Sequence, residues 1–217
     1  MGALPPAQSL INPETEKAGG PARARASALP PEERRASILA ATVPLLIAHG
    51  TQITTRQIAE AAGVAEGTIF RVFADKETLI EAAVAQAFDP APVEAELRAI
   101  DPTLPLEARC EAAVDIVQRR VASLWRILAA LGGANLPGVP RQKNENRPSF
   151  LRAVATVFEP DQARLRMEPM EAADVLRGLT IASSHPALTV GEPRSPKEIA
   201  SVILDGIRTP TDAARPC

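Results

Sequence analysis

A single glycine interrupts a helical pattern in the segment 54–80, TTRQIAEAAGVAEGTIFRVFADKETLI. Thr54 or Thr55 can cap a first short helix, and Gly63 supplies the tight backbone at which that helix must end. Counted from Thr55, the small or apolar positions are Ala59 as the fifth, Gly63 as the ninth, Val64 as the tenth, Ile69 as the fifteenth and Val72 as the eighteenth. This is the spacing of a helix-turn-helix, in which the second helix crosses close to Ala59 and protrudes as a rigid rod.

The outer side of the second helix carries side chains that suit DNA. A helix about 10 to 12 Å across fits the major groove of B-DNA, which is about 12 Å wide. Thr68 can bond a phosphate or contact a thymine methyl group, Arg71 can reach a guanine or a phosphate, and Phe70 offers an apolar edge. Lys76 falls at the predicted start of the next helix, where its ammonium and the free amides could hold a phosphate. The segment therefore predicts an element that binds double-stranded DNA.

The charge of the chain argues against DNA binding through a broad basic surface. The formal net charge is −2, and residues 31–80 hold five basic against six acidic side chains, a net −1. A few local cations and helix ends must then carry the contact. We expect a salt dependence weaker than that of a strongly basic protein, with a log–log slope of about −0.9 for each phosphate neutralised.

The same segment resembles the DNA-binding signature of the TetR family of transcriptional repressors. The matching residues are Thr-Arg and then Ile-Ala, followed by Ala-Gly-Val, Gly-Thr-Ile-Phe, Phe73 and Lys76-Glu77. The resemblance is strong over residues 31–88 and extends to the remainder only in layout. It implies phosphate or base contacts from Thr55, Arg56, Thr68, Phe70, Arg71 and Lys76.

Three residues depart from the family's pattern. Val72 stands where a polar residue, often His, is common, and Phe70 replaces the frequent Tyr and lacks its hydroxyl group. Pro44 lies inside the first predicted helix, where it has no amide hydrogen and crowds the carbonyl group of Ala40. We therefore expect a kink at Pro44.

Helical periodicity continues beyond the motif without a persistent alternating pattern, which predicts an all-α fold. The clearest pattern is residues 105–131, one long amphipathic helix, and 132–148 is rich in turn-forming residues and predicts a mobile loop. Further helices are expected near residues 149–158, 169–184 and 195–207.

With the resemblance, the chain divides into a disordered arm (1–29), a three-helix helix-turn-helix DNA-binding domain (30–80), a helical ligand-binding and dimerisation domain (81–209) and a loose tail (210–217).

The N-terminal arm meets the first helix at a cluster of arginines. These are Arg23, Arg25, Arg34 and Arg35. Such arms can lie in the minor groove of DNA. A solvated tail is the favoured interpretation, because the arm also carries Glu14 and Glu16.

The resemblance implies a dimer formed by the last two helices and a small-molecule pocket in the C-terminal domain. The apolar faces of those helices nominate Leu176, Leu179, Ile199, Val202 and Ile203 for the dimer interface, with closure of the monomer's own core as the competing interpretation. The candidates for lining the pocket are Trp125, Leu128, Phe150 and Phe158, each of which is more often ordinary core. Because only 3% of residues are aromatic and few buried charges are expected, we hypothesise a predominantly apolar pocket.

Other function classes find little support in the sequence. His49 and His185 are isolated, and there is no glycine-rich phosphate loop, so we expect no catalytic site and no enzyme activity. Cys110 and Cys217 have no metal-ligand spacing, and we expect neither a metal nor a cofactor. Apolar runs fall short of the roughly 20 residues that cross a bilayer, so we expect a cytoplasmic protein with no membrane partner.

The favoured function is a ligand-responsive transcriptional repressor. It would bind a palindromic operator as a homodimer and be released by a small apolar molecule as effector. The alternative is a DNA-binding regulator without a small-molecule ligand, switched by a protein partner through the 132–148 loop.

Overall fold

The computed structural model describes residues 30–132, 147–185, 188–189 and 191–209, and these ranges contain nine α-helices. They are α1 (Pro31–His49), α2 (Thr55–Ala62), α3 (Glu66–Val72), α4 (Lys76–Phe88), α5 (Ala91–Arg98), α6 (Leu106–Ala130), α7 (Arg147–Ala155), α8 (Pro169–Ser184) and α9 (Pro196–Ile207). Two short 3-10 helices cover Gly50–Gln52 and Glu159–Arg164. The all-α prediction is confirmed for the described ranges, where the β structure consists of one isolated bridge between Leu165 and Arg208. The predicted arm, the predicted tail and most of the predicted 132–148 loop lie outside them.

The first helix, α1, spans 19 residues and ends against α6. Pro31 suits its first turn, and the helix runs without a break through Pro44, which is exposed. Gly50 ends it with a φ of +59°. A Cβ atom at Gly50 would lie 2.9 Å from the carbonyl oxygen of Ala130. Glycine therefore permits both the left-handed backbone and the close approach of the end of α1 to the end of α6.

The long helix predicted over 105–131 is confirmed as α6, which has 25 residues. Its first two-thirds pack in a C-terminal core, where Leu106, Val114 and Val117 are buried against α8 and α9. Its last turn and the residue after it supply Ile127 and Leu131 to a second core formed by the N-terminal helices. One stiff element thus belongs to both cores.

The N-terminal core extends past the domain boundary predicted at residue 80. Helix α4 crosses that boundary and buries Ala83 and Val84 in the same cluster as Ile38, Ile58 and Ile69. Burial of these side chains is what holds α2 and α3 in place on α1 and α4.

Two arginines of α6 bind main-chain carbonyl groups of its neighbours. Arg120 donates hydrogen bonds to the carbonyl oxygens of Ala87 at 2.5 Å and Asp89 at 2.9 Å, where α4 ends. Burial lowers the pKa of Arg120. Arg109 is almost fully buried and donates to the carbonyl group of Val157 and to the carboxylate of Asp161. These bonds attach α6 to α4 and to the segment after α7.

The buried cysteine of α6 is surrounded by apolar side chains. Cys110 is fully buried in the C-terminal core, and burial raises the pKa of its thiol to about 12. The thiol is therefore protonated and unreactive near neutral pH.

Candidate nucleic-acid interface

Helix α2 begins with a reciprocal pair of hydrogen bonds. The hydroxyl oxygen of Thr54 accepts from the amide of Gln57 at 3.2 Å, and the side-chain carbonyl oxygen of Gln57 accepts from the amide of Thr54 at 2.8 Å. This capping box satisfies two amides that the helix itself leaves free. Of the two caps that the sequence allows, the structure uses Thr54, which makes Thr55 the first residue of the helix.

Helix α2 ends at Gly63 as the motif predicts. The φ of Gly63 is +67°, a left-handed conformation, and its amide donates to the carbonyl oxygen of Glu60 at 3.2 Å. The next amide, of Val64, donates to the carbonyl oxygen of Ala59 at 2.9 Å. The chain reverses in this way within three residues, and α3 starts at Glu66.

One side of α3 is buried in the N-terminal core, and the opposite side is exposed to solvent. Ile69 and Phe73 are 0% and 2% exposed, whereas Phe70 is 54% exposed. Arg71, next to Phe70, is also exposed. An apolar ring that stays in solvent beside a cation, on a helix anchored by its opposite face, is typical of a surface that contacts another molecule.

A cleft of about 540 Å³ separates α3 from the start of α1. Its lining includes Arg34 and Arg35 of α1 and Thr68 and Arg71 of α3. The guanidinium group of Arg35 lies over the ring of Phe73, 4.4 Å from the ring centre, and so links α1 to the end of α3. Thr68 is partly buried and lines this cleft together with Arg71, one turn further along α3.

Two groups that the sequence analysis offered to DNA, the hydroxyl of Thr55 and a free amide at the start of α4, have hydrogen-bond partners within the chain. The hydroxyl group of Thr55 donates to Glu66 at 2.5 Å, which joins the first residues of α2 and α3. At the start of α4, the carboxylate of Asp75 accepts from the amide of Thr78 at 2.7 Å, and this bond lowers the pKa of Asp75. That amide is therefore not free for a phosphate beside Lys76. An aspartate three residues before Thr78 is a recognisable cap in the sequence, whereas nothing local indicates the Thr55–Glu66 bond.

The remaining predicted DNA contacts are accessible. Arg56, the second residue of α2, is exposed, and Lys76, the first residue of α4, is partly exposed. Both lie at helix starts, as do Thr55 and Glu66. The first turns of α2 and α3 are joined by the bond between Thr55 and Glu66.

Comparison with known proteins identifies this unit. Residues 38–83 match the family described as bacterial regulatory proteins, tetR family. The N-terminal unit of α1 to α4 is therefore a helix-turn-helix of the TetR type. No curated protein matches its sequence.

Solved structures of transcriptional regulators, one of them described as TetR family, share the fold. A regulator from Agrobacterium tumefaciens has 19% identity and a TM-score of 0.55, over 83% of this chain and all (100%) of that one. A regulator from Saccharomonospora viridis, solved in complex with choline, has 20% identity and a TM-score of 0.56, over 82% of this chain and 100% of that one. The fatty acid degradation regulator FadR from Bacillus halodurans has 18% identity and a TM-score of 0.51, over 80% and 95%.

The pocket candidates Trp125 and Leu128 lie on the second half of α6, Phe150 lies on α7, and Phe158 follows α7. Phe158 is fully buried in the C-terminal core, and Trp125, Leu128 and Phe150 are partly buried. The rings of Trp125 and His185 meet edge to face, 4.0 Å between centres. None of the four candidates lines the cleft between α1 and α3. The pocket remains a prediction.

The dimer candidates divide between the core and the surface. Leu176, Ile199 and Ile203 are at most 1% exposed within their own chain. Within their own chain they pack in the core with α6, which supports the competing interpretation, closure of the monomer's own core. Leu179 is partly buried and Val202 is 53% exposed.

The described residues are also expected to lack a metal site and a membrane span. Among the described residues, no group of three or more His, Cys, Asp or Glu side chains is placed to hold a metal ion. In the same part of the chain, no helix has the length and apolar character needed to cross a bilayer.

Substitution of the two phenylalanines of the motif tests how α3 is held. Phe70→Ala should leave the free energy of unfolding within about 0.5 kcal/mol of the parent, because the ring is exposed. Phe73→Ala should lower it by about 3 to 5 kcal/mol, because it removes a buried ring and the contact of Arg35. Urea unfolding followed by circular dichroism measures both. A large loss for Phe70→Ala would contradict the orientation of the helix.

Proposed function

We propose that this chain is a ligand-responsive repressor that binds a palindromic operator as a homodimer. The observation that carries the proposal is the exposed stripe of Phe70 and Arg71 on a helix whose other side is buried. A seven-residue helix anchored in this way enters a major groove without rearrangement. We assign DNA binding to α1 to α4, and ligand binding and dimerisation to the helices from α5 to α9.

The exposed side chains of α3 and the starts of α2 and α4 supply the proposed contacts with DNA. Arg71 reaches base edges or a phosphate, and the Phe70 ring packs on a thymine methyl group or a sugar. Thr68 and Arg34 border the cleft beside α3, where a phosphate of the same groove edge fits between two arginines. Arg56 and Lys76 hold flanking phosphates from the starts of α2 and α4.

The surface of α8 and α9 supports a dimer. Val175 is 41% exposed and Val202 53% exposed, and Leu179 follows Val175 by one turn of α8. Apolar side chains exposed on two neighbouring helices favour association with an equivalent pair, in a four-helix interface. We therefore propose that Val175, Leu179 and Val202 contact the second copy, in place of the buried residues nominated from the sequence.

Helix α6 supports coupling between the two functions. It is buried in the C-terminal core, it supplies Ile127 and Leu131 to the N-terminal core, and Arg120 attaches it to the end of α4. A ligand that shifts α6 would move the DNA-binding unit of each protomer and change the separation of the two α3 helices. Successive major grooves on one face of DNA lie roughly 34 to 36 Å apart, so a changed separation loses one of the two contacts.

The proposed ligand is a mostly apolar molecule with a hydrogen-bonding group. Trp125 and Phe150 offer apolar contact. Two hydroxyl groups one turn apart on α8, those of Thr180 and Ser184, are buried and have no hydrogen-bond partner among the described residues. Buried hydroxyl groups are normally bonded, so a polar group on the ligand would compensate them.

Selection of binding sites from random duplex DNA tests the DNA-binding proposal. The parent protein should enrich an inverted repeat, and Arg71→Ala should weaken binding to it by about 1 to 3 kcal/mol because a base or phosphate contact is lost. Arg119→Ala is the matched control, since it removes an exposed arginine that is bonded to Glu96 and Asp115 far from α3. We expect the control to bind like the parent. The absence of any enriched motif at low salt would reject the proposal.

A charge at the proposed dimer surface tests the assembly. Val202→Asp should raise the dissociation constant of the dimer by at least about tenfold, because an unpaired carboxylate would be buried in an apolar interface. Light scattering after size-exclusion chromatography measures the mass. Leu104→Asp is the control, because Leu104 is an exposed apolar residue before α6. If both variants remain dimers of equal stability, the interface lies elsewhere.

Fluorescence of the only tryptophan, Trp125, tests the ligand proposal. In a small-molecule library that includes decanoate, choline and citrate, we expect apolar compounds such as decanoate to change the emission of Trp125 and to weaken operator binding. Arg120→Ala should keep the emission change and show less release of DNA, because it loses the bonds from α6 to the end of α4.

Two outcomes would contradict the ligand proposal. Tight binding of citrate rather than decanoate would contradict the apolar pocket. If no compound in the library changes both the emission of Trp125 and operator binding, a regulator switched by a protein partner is favoured.

A further inference from the structure

The first residue of α3 has a role that neither the motif nor its resemblance assigns. Glu66 is exposed and lies one turn before Phe70, so its side chain is on the same outward face of α3 as the Phe70 ring. Residues at the start of a recognition helix are those that reach base edges. If α3 enters a major groove, Glu66 enters with it.

A hydrogen bond from the preceding helix holds this carboxylate. The hydroxyl group of Thr55 donates to Oε1 of Glu66 at 2.5 Å, across the turn that separates α2 from α3. A threonine hydroxyl has one hydrogen to donate, so Thr55 that donates to Glu66 does not donate to a phosphate. Thr55 is then a positioning residue for Glu66, and the second carboxylate oxygen of Glu66 remains available as an acceptor.

The chemistry of the carboxylate restricts what it can contact in DNA. A carboxylate accepts hydrogen bonds only, and it is repelled by phosphates. Within the described ranges no arginine or lysine forms an ion pair with Glu66. In the major groove the donors are the N4 amino group of cytosine and the N6 amino group of adenine. On adenine the N7 acceptor lies beside the N6 amino group, and N7 would repel the second carboxylate oxygen. Cytosine has no acceptor beside N4 on its own edge.

We propose that Glu66, held by Thr55, is a specificity-determining residue that accepts a hydrogen bond from N4 of a cytosine in each operator half-site. This inference rests on the proposed function, because it requires α3 in the major groove. It also explains how an acidic residue serves a DNA-binding surface. Glu66 disfavours sites that offer it no amino group, and it lowers the affinity for unrelated DNA.

The test is a set of binding-site selections from random duplex DNA with the parent chain and three variants. Glu66→Gln keeps the shape and can still accept from Thr55, but its amide pairs with N6 and N7 of adenine. We expect one position of each half-site to change from C·G to A·T, with a reversal of preference of about 5- to 150-fold. Thr55→Val should weaken the cytosine preference at the same position without changing the base.

The control variant is Glu81→Gln, which removes an exposed carboxylate of α4 outside the motif. It should reproduce the motif of the parent. Competition with unrelated duplex gives a second measure, in which Glu66→Gln should bind unrelated DNA several-fold more tightly than Glu81→Gln does. Thermal melting of each variant establishes that the fold is retained.

The outcomes separate the two proposals. If the parent enriches a motif and Glu66→Gln enriches the same base at every position, the role of Glu66 is overturned while the proposed function stands. If the parent enriches no motif, both are overturned.

Discussion

The burial of one helix in two hydrophobic cores is the constraint on which the rest of this structure depends. Helix α6 spans 25 residues, packs with α8 and α9 over most of its length, and supplies Ile127 and Leu131 to the core beneath the helix-turn-helix. Close-packed cores resist continuous deformation, so α6 cannot shift at one end without repacking at the other. Gly50 allows α1 to approach the end of α6 closely, and Arg120 fixes α6 to the end of α4. Helix α6, which lies mostly in the C-terminal core, thus contributes through Ile127 and Leu131 to the core on which α3 packs.

The acidic balance of the N-terminal segment has a structural explanation. A net charge calculated from the sequence counts every carboxylate as one full negative charge, although the carboxylates have different surroundings in the fold. Asp75 is engaged by the amide of Thr78 at the start of α4, and Glu66 is engaged by the hydroxyl group of Thr55. Arg71, by contrast, is exposed beside Phe70 and also borders the cleft that Arg34 and Arg35 line. A net charge of −1 over residues 31–80 is thus compatible with a locally cationic edge beside α3.

Local signals were sufficient for the elements of the motif. The end of α2 at Gly63, the capping of α2 at one of two adjacent threonines and the start of α4 at Lys76 follow from backbone conformation and from hydrogen bonds between residues at most five apart. The long amphipathic pattern gave α6 to within a residue at each end. The Thr55–Glu66 bond and the turn of Thr68 toward the cleft could not be read in this way, because both depend on the angle at which two helices cross.

The last two helices show where sequence and tertiary structure divide. Periodicity by itself determined that α8 and α9 are amphipathic helices, and it placed Leu176, Ile199 and Ile203 on their apolar faces. It did not determine which surface covers those faces. The tertiary structure buries these three residues against the chain's own α6 and leaves Val175 and Val202 exposed. The physical reason is that a 3.6-residue period reports how polarity is distributed around one helix, whereas the partner of each face is decided by which other elements can pack there without leaving space.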